Sequence, residues 1–316
     1  MTPRPIAVAV LTYRRFDDLD DLLTQLVTHV ATSSSSDASI VVIDNDEDPT
    51  AEVIARRHPG VRYVHEPRPG IAAARTRALS EAGDELLLVF IDDDERPRDG
   101  WLDSLVATWE QCRPAAVVGP VVSTFAAPPD PWIEAGGFFV RLRHRTGTEV
   151  KVAATNNLLL DLSIVRELDL RFDDRFGTTG GSDTLFTRRL VHAGERIVWC
   201  DEAVVTDVVP SDRSTREWVL RRAERMGNSS SRVAVVLAPS GWRRWLVRLG
   251  LVTQGLGRIA VGGGRSVYGR IVRSPRHHAR GARLFARGRG ILSGALGGVV
   301  AEYGRETRAA DPPAQP

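Results

Sequence analysis

Apolar runs suited to buried strands alternate with segments of helical periodicity through the first 112 residues. Residues 6–12 are continuously apolar and predict a strand buried on both faces, and residues 17–30 carry leucines at helical spacing. The pattern repeats, predicting strands at residues 39–43, 61–65 and 86–91 and helices at residues 49–57, 70–82 and 99–111. Such alternation predicts a mostly parallel sheet with helices on both faces.

The rhythm changes after Val121, where segments rich in proline, glycine and aromatic residues follow. Irregular segments of this kind commonly shape the entrance to a binding site. Regular periodicity returns in predicted helices at residues 183–193 and 215–225 and in a predicted strand at residues 196–200. The serine-rich stretch at residues 32–36 predicts a loop between the first helix and the second strand.

Length and composition fit one α/β domain with an appendage. The 316 residues are 42% hydrophobic and 26% charged, which is ordinary for a globular protein. The two cysteines have neither metal-ligand spacing nor the number needed for a disulfide framework, so they favour a reducing compartment. The apolar stretch near the N-terminus is too short for a signal peptide, and we expect the protein on the cytoplasmic side.

Charge is divided unevenly along the chain. Residues 225–316 hold sixteen arginines and three acidic residues, a net charge of +13, whereas the whole chain carries only +2. We therefore expect an α/β domain over residues 1–235 and an arginine-rich amphipathic helical tail over residues 236–316 with a disordered C-terminus. Tryptophans beside arginines favour an interfacial helix pair on an anionic membrane. The alternative is a helical appendage packed on the first domain with a solvated basic face.

Nucleic acid is not expected as the partner of this basic tail. The tail shows no recognisable nucleic-acid-binding module and no regular alternation of basic and aromatic residues that would build a stacking surface.

Polar residues follow three of the predicted strands at the point where each strand ends. Ligands bind open α/β sheets at these carboxyl ends. The last of the three clusters is a run of four acidic residues beginning at Asp92. These carboxylates repel one another, and a divalent cation such as Mg²⁺ or Mn²⁺ is a suitable counter-charge. The alternative is a solvated acidic turn. The three clusters are Thr12-Tyr13-Arg14, Asp44-Asn45-Asp46 and Asp92-Asp93-Asp94-Glu95.

Two common nucleotide-binding signatures are missing from the sequence. No G-x-G-x-x-G follows the first strand, which argues against a Rossmann dinucleotide site, and no G-x-x-x-x-G-K-[ST] occurs, which argues against a P-loop.

Five segments in order resemble family 2 glycosyltransferases of the GT-A fold. The resemblance covers roughly residues 5–232. Additional segments at residues 65–75, 136–139 and 197–202 are similar to bacterial succinoglycan-type glucosyltransferases, which extend exopolysaccharide repeat units. The five segments are Leu11-Thr-Tyr-Arg-Arg15, Val41-Val-Ile-Asp-Asn45, Gly70-Ile-Ala-Ala-Ala-Arg75, Ile91-Asp-Asp-Asp94 and Gly180-Gly-Ser-Asp183.

The resemblance implies a donor site for a sugar nucleotide. Asp92 and Asp94 would be the outer members of a D-x-D element, with Asp94 on the metal and Asp92 near the ribose or a metal-bound water. Asp44 would hydrogen-bond the base. The donor nucleotide would be bound by Thr12, Tyr13, Arg14, Asp44, Asn45, Arg75, Asp92 and Asp93.

The resemblance also implies a catalytic base. Asp183 would take the proton of an acceptor hydroxyl in a single displacement that inverts the anomeric carbon. The alternative is that Asp183 caps a helix beginning at Thr184. Relatives usually carry Glu where Ser182 stands and often a metal-binding His where this chain has Thr206, and neighbouring Asp207 is a candidate replacement ligand.

The sequence therefore predicts a metal-dependent inverting glycosyltransferase of cell-surface or exopolysaccharide biosynthesis. It would transfer a sugar from a nucleoside-diphosphate sugar, UDP-linked by resemblance, to a glycan or polyprenyl-diphosphate-linked acceptor. We expect it on the inner face of the cell membrane. One alternative is a sugar nucleotidyltransferase, whose glycine-rich loop after the first strand is missing. Another is a catalytically degenerate protein that binds sugar nucleotide or membrane.

Overall fold

The computed structural model describes residues 5–34 and 38–300 as a layered α/β structure followed by long helices. The strands are β1 (Ile6–Thr12), β2 (Ala38–Asp44), β3 (Val61–His65), β4 (Leu87–Asp92), β5 (Glu95–Pro97), β6 (Ala116–Val118), β7 (Val121–Phe125), β8 (Glu149–Val150), β9 (Asn157–Asp161), β10 (Ile197–Trp199) and β11 (Val205–Val209). The helices are α1 (Phe16–Thr32), α2 (Glu52–Ala55), α3 (Ile71–Glu81), α4 (Trp101–Cys112), α5 (Pro131–Gly136), α6 (Leu162–Glu167), α7 (Ser182–His192), α8 (Arg216–Leu237), α9 (Trp242–Ile271) and α10 (Pro275–Ala295).

The large sheet has the order β3-β2-β1-β4-β9-β6-β10-β8. Strands β9 and β8 run antiparallel to their neighbours, and the other pairs are parallel. Thr12 pairs with Asp44, and Leu11 pairs with Asp92, so the polar residues after these strands meet at one edge. The predicted mostly parallel sheet is confirmed.

Apolar side chains fill both faces of this sheet. Alternate residues of β1 point to opposite sides, which explains why the whole run is apolar. One face packs against α1, α2 and α4, and the other packs against α3, α6 and α7. The two layers of helices hold the strand ends in fixed positions.

The structure departs from the local predictions in several places. The central strand β9 lies in a stretch without a predicted regular element, because a run of three leucines cannot be assigned by periodicity alone. The helix predicted over residues 49–57 is only the short α2, with turns around it. Parts of two other predictions, at residues 35–37 and 301–316, lie outside the described residues.

A small second sheet adjoins the end of β4. Its order is β5-β11-β7, and Asp207 of β11 stands directly opposite Glu95 of β5. This pairing brings residue 207 to the acidic run. Hydrophobic periodicity does not predict this pairing, and only the family resemblance pointed to Asp207.

The last three helices form a close-packed group. Helix α8 continues to Leu237, so the predicted boundary after residue 235 falls in its last turn. Helix α10 lies between α8 and α9 and also packs on α5. Among the residues described, no helix has both the length and the apolar composition needed to cross a bilayer.

Candidate active site

The acidic run is buried and held by hydrogen bonds. Arg15 Nη1 donates to Asp93 Oδ1 at 2.8 Å and to Asp94 Oδ2 at 2.6 Å. Thr12 Oγ1 donates to Asp93 Oδ2 at 2.8 Å. Asp93 and Glu95 are buried, whereas Asp92 and Asp94 are half-buried. The alternative of a solvated acidic turn is therefore wrong.

Burial and mutual repulsion raise the proton affinity of these carboxyl groups. Burial, followed by the charge of Asp94, raises the pKa of Asp92 to about 7. Burial raises the pKa of Asp93 to about 6, against the opposing effect of Arg15. Burial and the charges of Asp92 and Asp94 raise the pKa of Glu95 well above its usual value. Burial is therefore the main cause of each rise, and the neighbouring carboxylate charges add to it.

Asp207 joins this cluster from the second sheet. Arg141 Nη2 donates to Asp207 Oδ2 at 2.7 Å, and Ser123 Oγ donates to the same atom at 3.4 Å. Burial, against the charge of Arg141, raises the pKa of Asp207, and the charge of Asp94 adds to the rise. Asp207 and Asp94 therefore lie within electrostatic reach of each other.

Two more arginines reach the cluster from distant segments. Arg213, in a short 3-10 turn after β11, lies 3.4 Å from Asp94 Oδ2 through Nη1. Arg141 comes from the irregular segment after α5, where Phe139 packs on Trp218 with ring centroids 6.1 Å apart. The sequence analysis missed Arg141, because nothing local distinguishes it from its neighbour Arg143.

The residues predicted to bind a nucleotide divide into two groups. Asp44 is fully buried, and its carboxylate accepts from the amides of Ala51 at 2.8 Å and Asp46 at 3.1 Å and from the hydroxyl of Tyr63 at 2.9 Å. In this state it shapes the loop after β2, and its contact with a base stays a prediction. Asn45 also holds the local backbone, because its side-chain amide donates to the carbonyls of residues 66 and 68.

Tyr13 and Arg14 are the accessible members at this edge. Tyr13 is exposed, and the Arg14 guanidinium lies 5.2 Å from the centre of its ring. Arg14 Nε also donates to Asp46 Oδ2 at 2.8 Å. Its φ of 54° lies in the left-handed region, so the loop after β1 turns sharply there. These two side chains border the strand ends.

Asp183 is brought towards the acidic run by contacts between α3 and α7. Buried Arg75 donates through Nη1 to Ser182 Oγ at 2.6 Å, and its charge acts on Asp92. Gly70, at φ 105°, lies against the backbone of Gly177, where a side chain would collide. This close approach lets the start of α3 meet the loop before α7.

The two carboxylate oxygens of Asp183 differ in their contacts. Helix α7 begins at Ser182 after Gly181, so the alternative in which Asp183 caps a helix beginning at Thr184 is wrong. Its Oδ1 accepts from the Thr184 amide at 2.6 Å. Its Oδ2 has no hydrogen-bond partner among the described residues.

Comparison with known proteins agrees with this architecture. The family model described as glycosyl transferase family 2 matches residues 7–169. Succinoglycan biosynthesis protein ExoM of Rhizobium meliloti (strain 1021) is 30% identical over 252 residues, which cover 77% of this chain and 80% of that protein.

Two solved structures have a similar fold at low sequence identity. The crystal structure of GalNAc-T7 with UDP, GalNAc and Mn²⁺ has a TM-score of 0.55 and 15% identity, covering 74% of this chain and 48% of that one. The crystal structure of S. aureus TarS 1-349 in complex with UDP has a TM-score of 0.50 and 16% identity, covering 95% of this chain and 93% of that one. The chain thus spans about half the length of GalNAc-T7 and nearly all of the TarS fragment. Its ordered motifs, its sheet and these relatives lead to one conclusion: the chain belongs to glycosyl transferase family 2 and has the GT-A fold.

Proposed function

We propose that the chain is an inverting, divalent-metal-dependent glycosyltransferase of cell-surface or exopolysaccharide biosynthesis. The observation that carries the proposal is the contact of Arg75 with Ser182, because the charge of Arg75 also acts on Asp92 and Ser182 directly precedes Asp183. The acceptor oxygen bonds to C1 of the donor sugar as the bond from C1 to the diphosphate oxygen breaks. The acceptor proton passes to Asp183 Oδ2, and the diphosphate leaves with the electron pair.

The donor in this proposal is a nucleoside-diphosphate sugar, with UDP as the nucleotide. Both solved structures described above contain UDP, and the one with GalNAc-T7 also contains a sugar. In this chain Tyr13 and Arg14 border the strand ends and would face the nucleotide, with the remaining predicted residues forming the walls and floor. Arg75 would face the donor from the α3 side.

The donor set suits Mg²⁺ or Mn²⁺. Oxygen ligands are the ones these ions prefer, and burial together with the charge of Asp94 raises the pKa of Asp92 and Asp93, as expected for carboxylates that a bound cation would stabilise. No group of three His, Cys, Asp or Glu in the described part of the chain holds a metal by itself. Asp94 would be the direct ligand, with Asp92 beside it or reaching the ion through a bound water, and donor phosphates would complete the set; Asp207 is a further candidate ligand. When bound, the ion offsets the charge of the leaving diphosphate.

The acceptor in this proposal is a glycan or a polyprenyl-diphosphate-linked saccharide at the inner face of the cell membrane. The relationship to a succinoglycan biosynthesis protein supports it. Support also comes from α9, which is about 45 Å long and exposes several large apolar residues on its face turned away from α10. Trp242, Trp245 and Ile271 on this face are 69%, 64% and 75% exposed. Arginines at residues 243, 258 and 265 follow one edge, as an anionic lipid surface requires.

Turnover by the purified full chain tests the proposal. The protein would be incubated with Mn²⁺ and a panel of UDP-, dTDP- and GDP-sugars, with a polyprenyl-diphosphate-linked saccharide as acceptor. We expect release of the nucleoside diphosphate and formation of the anomer opposite to that of the donor. An unchanged donor across the whole panel, with the protein folded, contradicts the proposal. Activity that is equal with Mn²⁺ and with a chelator contradicts only its metal-dependent part.

A further inference from the structure

A second depression lies far along the chain from the acidic run, where the turn between α9 and α10 meets α5 and the start of α8. Its volume is about 410 Å³. Its lining combines residues of the catalytic domain with residues of the helical hairpin, chiefly Asp130, Trp132, Arg216, Arg270, Arg273 and His278. None of the proposed catalytic or donor-binding residues lines it.

The depression carries uncompensated positive charge. Arg216 is matched by Asp130, with distances of 2.7 Å from Nε to Oδ2 and 3.1 Å from Nη2 to Oδ1. Arg270 and Arg273 have no carboxylate within ion-pair distance in the described part of the chain, and both are exposed. Two guanidinium charges therefore have no carboxylate partner at this depression.

His278 stands between two groups that only donate hydrogen bonds. Trp132 Nε1 lies 3.1 Å from His278 Nδ1, and Arg270 Nε lies 3.2 Å from His278 Nε2. A neutral imidazole has only one accepting nitrogen. If Nδ1 accepts from the buried indole of Trp132, Nε2 carries the proton and faces a second N–H group at Arg270. Burial, Arg270 and Arg216 also lower the pKa of His278, which keeps the ring neutral.

We infer that this depression binds a phosphate or diphosphate group. Anionic oxygens there accept from Arg270 Nε and His278 Nε2 together, which turns an unfavourable contact between two donors into two charge-assisted hydrogen bonds. Arg273, in the turn between the helices, supplies the second guanidinium. A phosphate group satisfies both the charge and the facing donors.

The neighbouring surface identifies the source of this phosphate as a lipid head group. Arg270 and Arg273 flank Ile271, at the end of the apolar face of α9, so an acyl chain and a phosphate can be bound side by side. The assignment of the phosphate to a lipid head group rests on the membrane contact given under the proposed function. The phosphate chemistry itself stands on the depression.

The first experiment follows the imidazole of His278 by ¹⁵N NMR while pyrophosphate is added to the full chain. The chain has seven histidines, and His278→Gln identifies the signal. We expect a saturable shift, with a midpoint about tenfold higher in Arg273→Ala. Arg276→Ala removes the same charge from an exposed position nearby and should change the midpoint by less than about twofold. A signal that does not move, or that moves alike in both variants, overturns the inference.

The second experiment separates lipid phosphate from free phosphate. Phosphatidylglycerol vesicles are sedimented with the wild type, with Arg270→Gln/Arg273→Ala and with the control Arg276→Ala/Arg280→Ala. We expect the first pair to lose several times more binding than the control pair. Equal losses overturn the lipid source and leave the pyrophosphate result standing. If no form binds vesicles while pyrophosphate still shifts His278, the membrane proposal fails and the phosphate site remains.

Discussion

The edge of the large sheet and the hairpin formed by α9 and α10 differ in how their arginines are paired with carboxylates. At the sheet edge, Arg15, Arg141 and Arg213 each lie against a carboxylate of the acidic cluster. In the hairpin, no acidic residue occurs between Arg225 and Ala301, and Glu224 of the neighbouring α8 pairs with Arg289. The first region pairs its arginines with carboxylates of the chain itself, whereas most arginines of the second region have no carboxylate of their own segment to pair with. The difference supports the proposal of two kinds of partner, a sugar nucleotide at the sheet edge and an anionic surface at the hairpin.

The two regions also differ in packing. Branched and aromatic side chains fill the sheet core, whereas glycines bring the last helices together. Gly255, Gly262 and Gly269 of α9 lie seven residues apart and face the backbone of α10, which presents Gly281 and Gly288. Seven residues are close to two helical turns, so these glycines form one stripe. With glycine on the inner side, the large apolar residues of α9 are left on its outer side.

The largest effect should be the loss of turnover when Asp183, at the site near the sheet edge, is replaced. Asp183→Asn removes the proposed base, and we expect kcat to fall by about 10²–10⁴-fold, because the side chain no longer accepts a proton. Binding of UDP and of vesicles should be unchanged. Steady-state kinetics and UDP titration measure this, with exposed Asp169→Asn as the control. Unaltered turnover would show that another group is the base.

The next prediction concerns vesicle binding by two exposed tryptophans of α9. Trp242→Ser together with Trp245→Ser should lower the partition onto phosphatidylglycerol vesicles by about 10²-fold, because two exposed indoles no longer enter the lipid surface. Transfer to a soluble acceptor should remain. Sedimentation of the protein with vesicles gives the value. Retained binding would mean that the outer face of α9 is not the membrane contact.

Glycine packing can be probed by adding one methyl group. At Gly290 of α10 it would overlap the carbonyl oxygen of Glu224, so Gly290→Ala should lower the free energy of unfolding by about 1–3 kcal/mol. Gly257→Ala on the open side of α9 has no atom within 4 Å of the new methyl group and should raise that free energy by about 0.5–1 kcal/mol. Urea denaturation of both variants compares them. Equal changes would refute the close-packing argument.

A smaller effect is expected at Arg141. Arg141→Met removes the partner of Asp207 and should weaken UDP binding about tenfold in the presence of Mn²⁺, because the cluster keeps its carboxylate charge and loses a guanidinium. Arg143→Met, in the same segment, removes an arginine that pairs with Asp201 and should have little effect. Calorimetric titration with UDP distinguishes the two. Equal affinities would place Arg141 outside the site.

Local sequence patterns predicted much of this protein. Hydrophobic periodicity predicted the parallel strands β1 to β4 and the helices α1, α3 and α4, because burial on one or both faces leaves a direct trace in residue order. The acidic run and the ordered motifs predicted the family. The uneven charge predicted that the tail differs from the rest. Each of these signals is carried by residues close together in the sequence.

Tertiary structure alone decided how the distant segments meet. Strand β9 enters the sheet beside β4 through pairing with residues about seventy positions away. Asp207 stands opposite Glu95 because β11 pairs with β5. The contact of Arg75 with Ser182 and the approach of Arg141 to Asp207 likewise join residues that are far apart. No short pattern encodes such pairs, since their free energy arises only when the whole sheet is assembled and water is excluded from the charges.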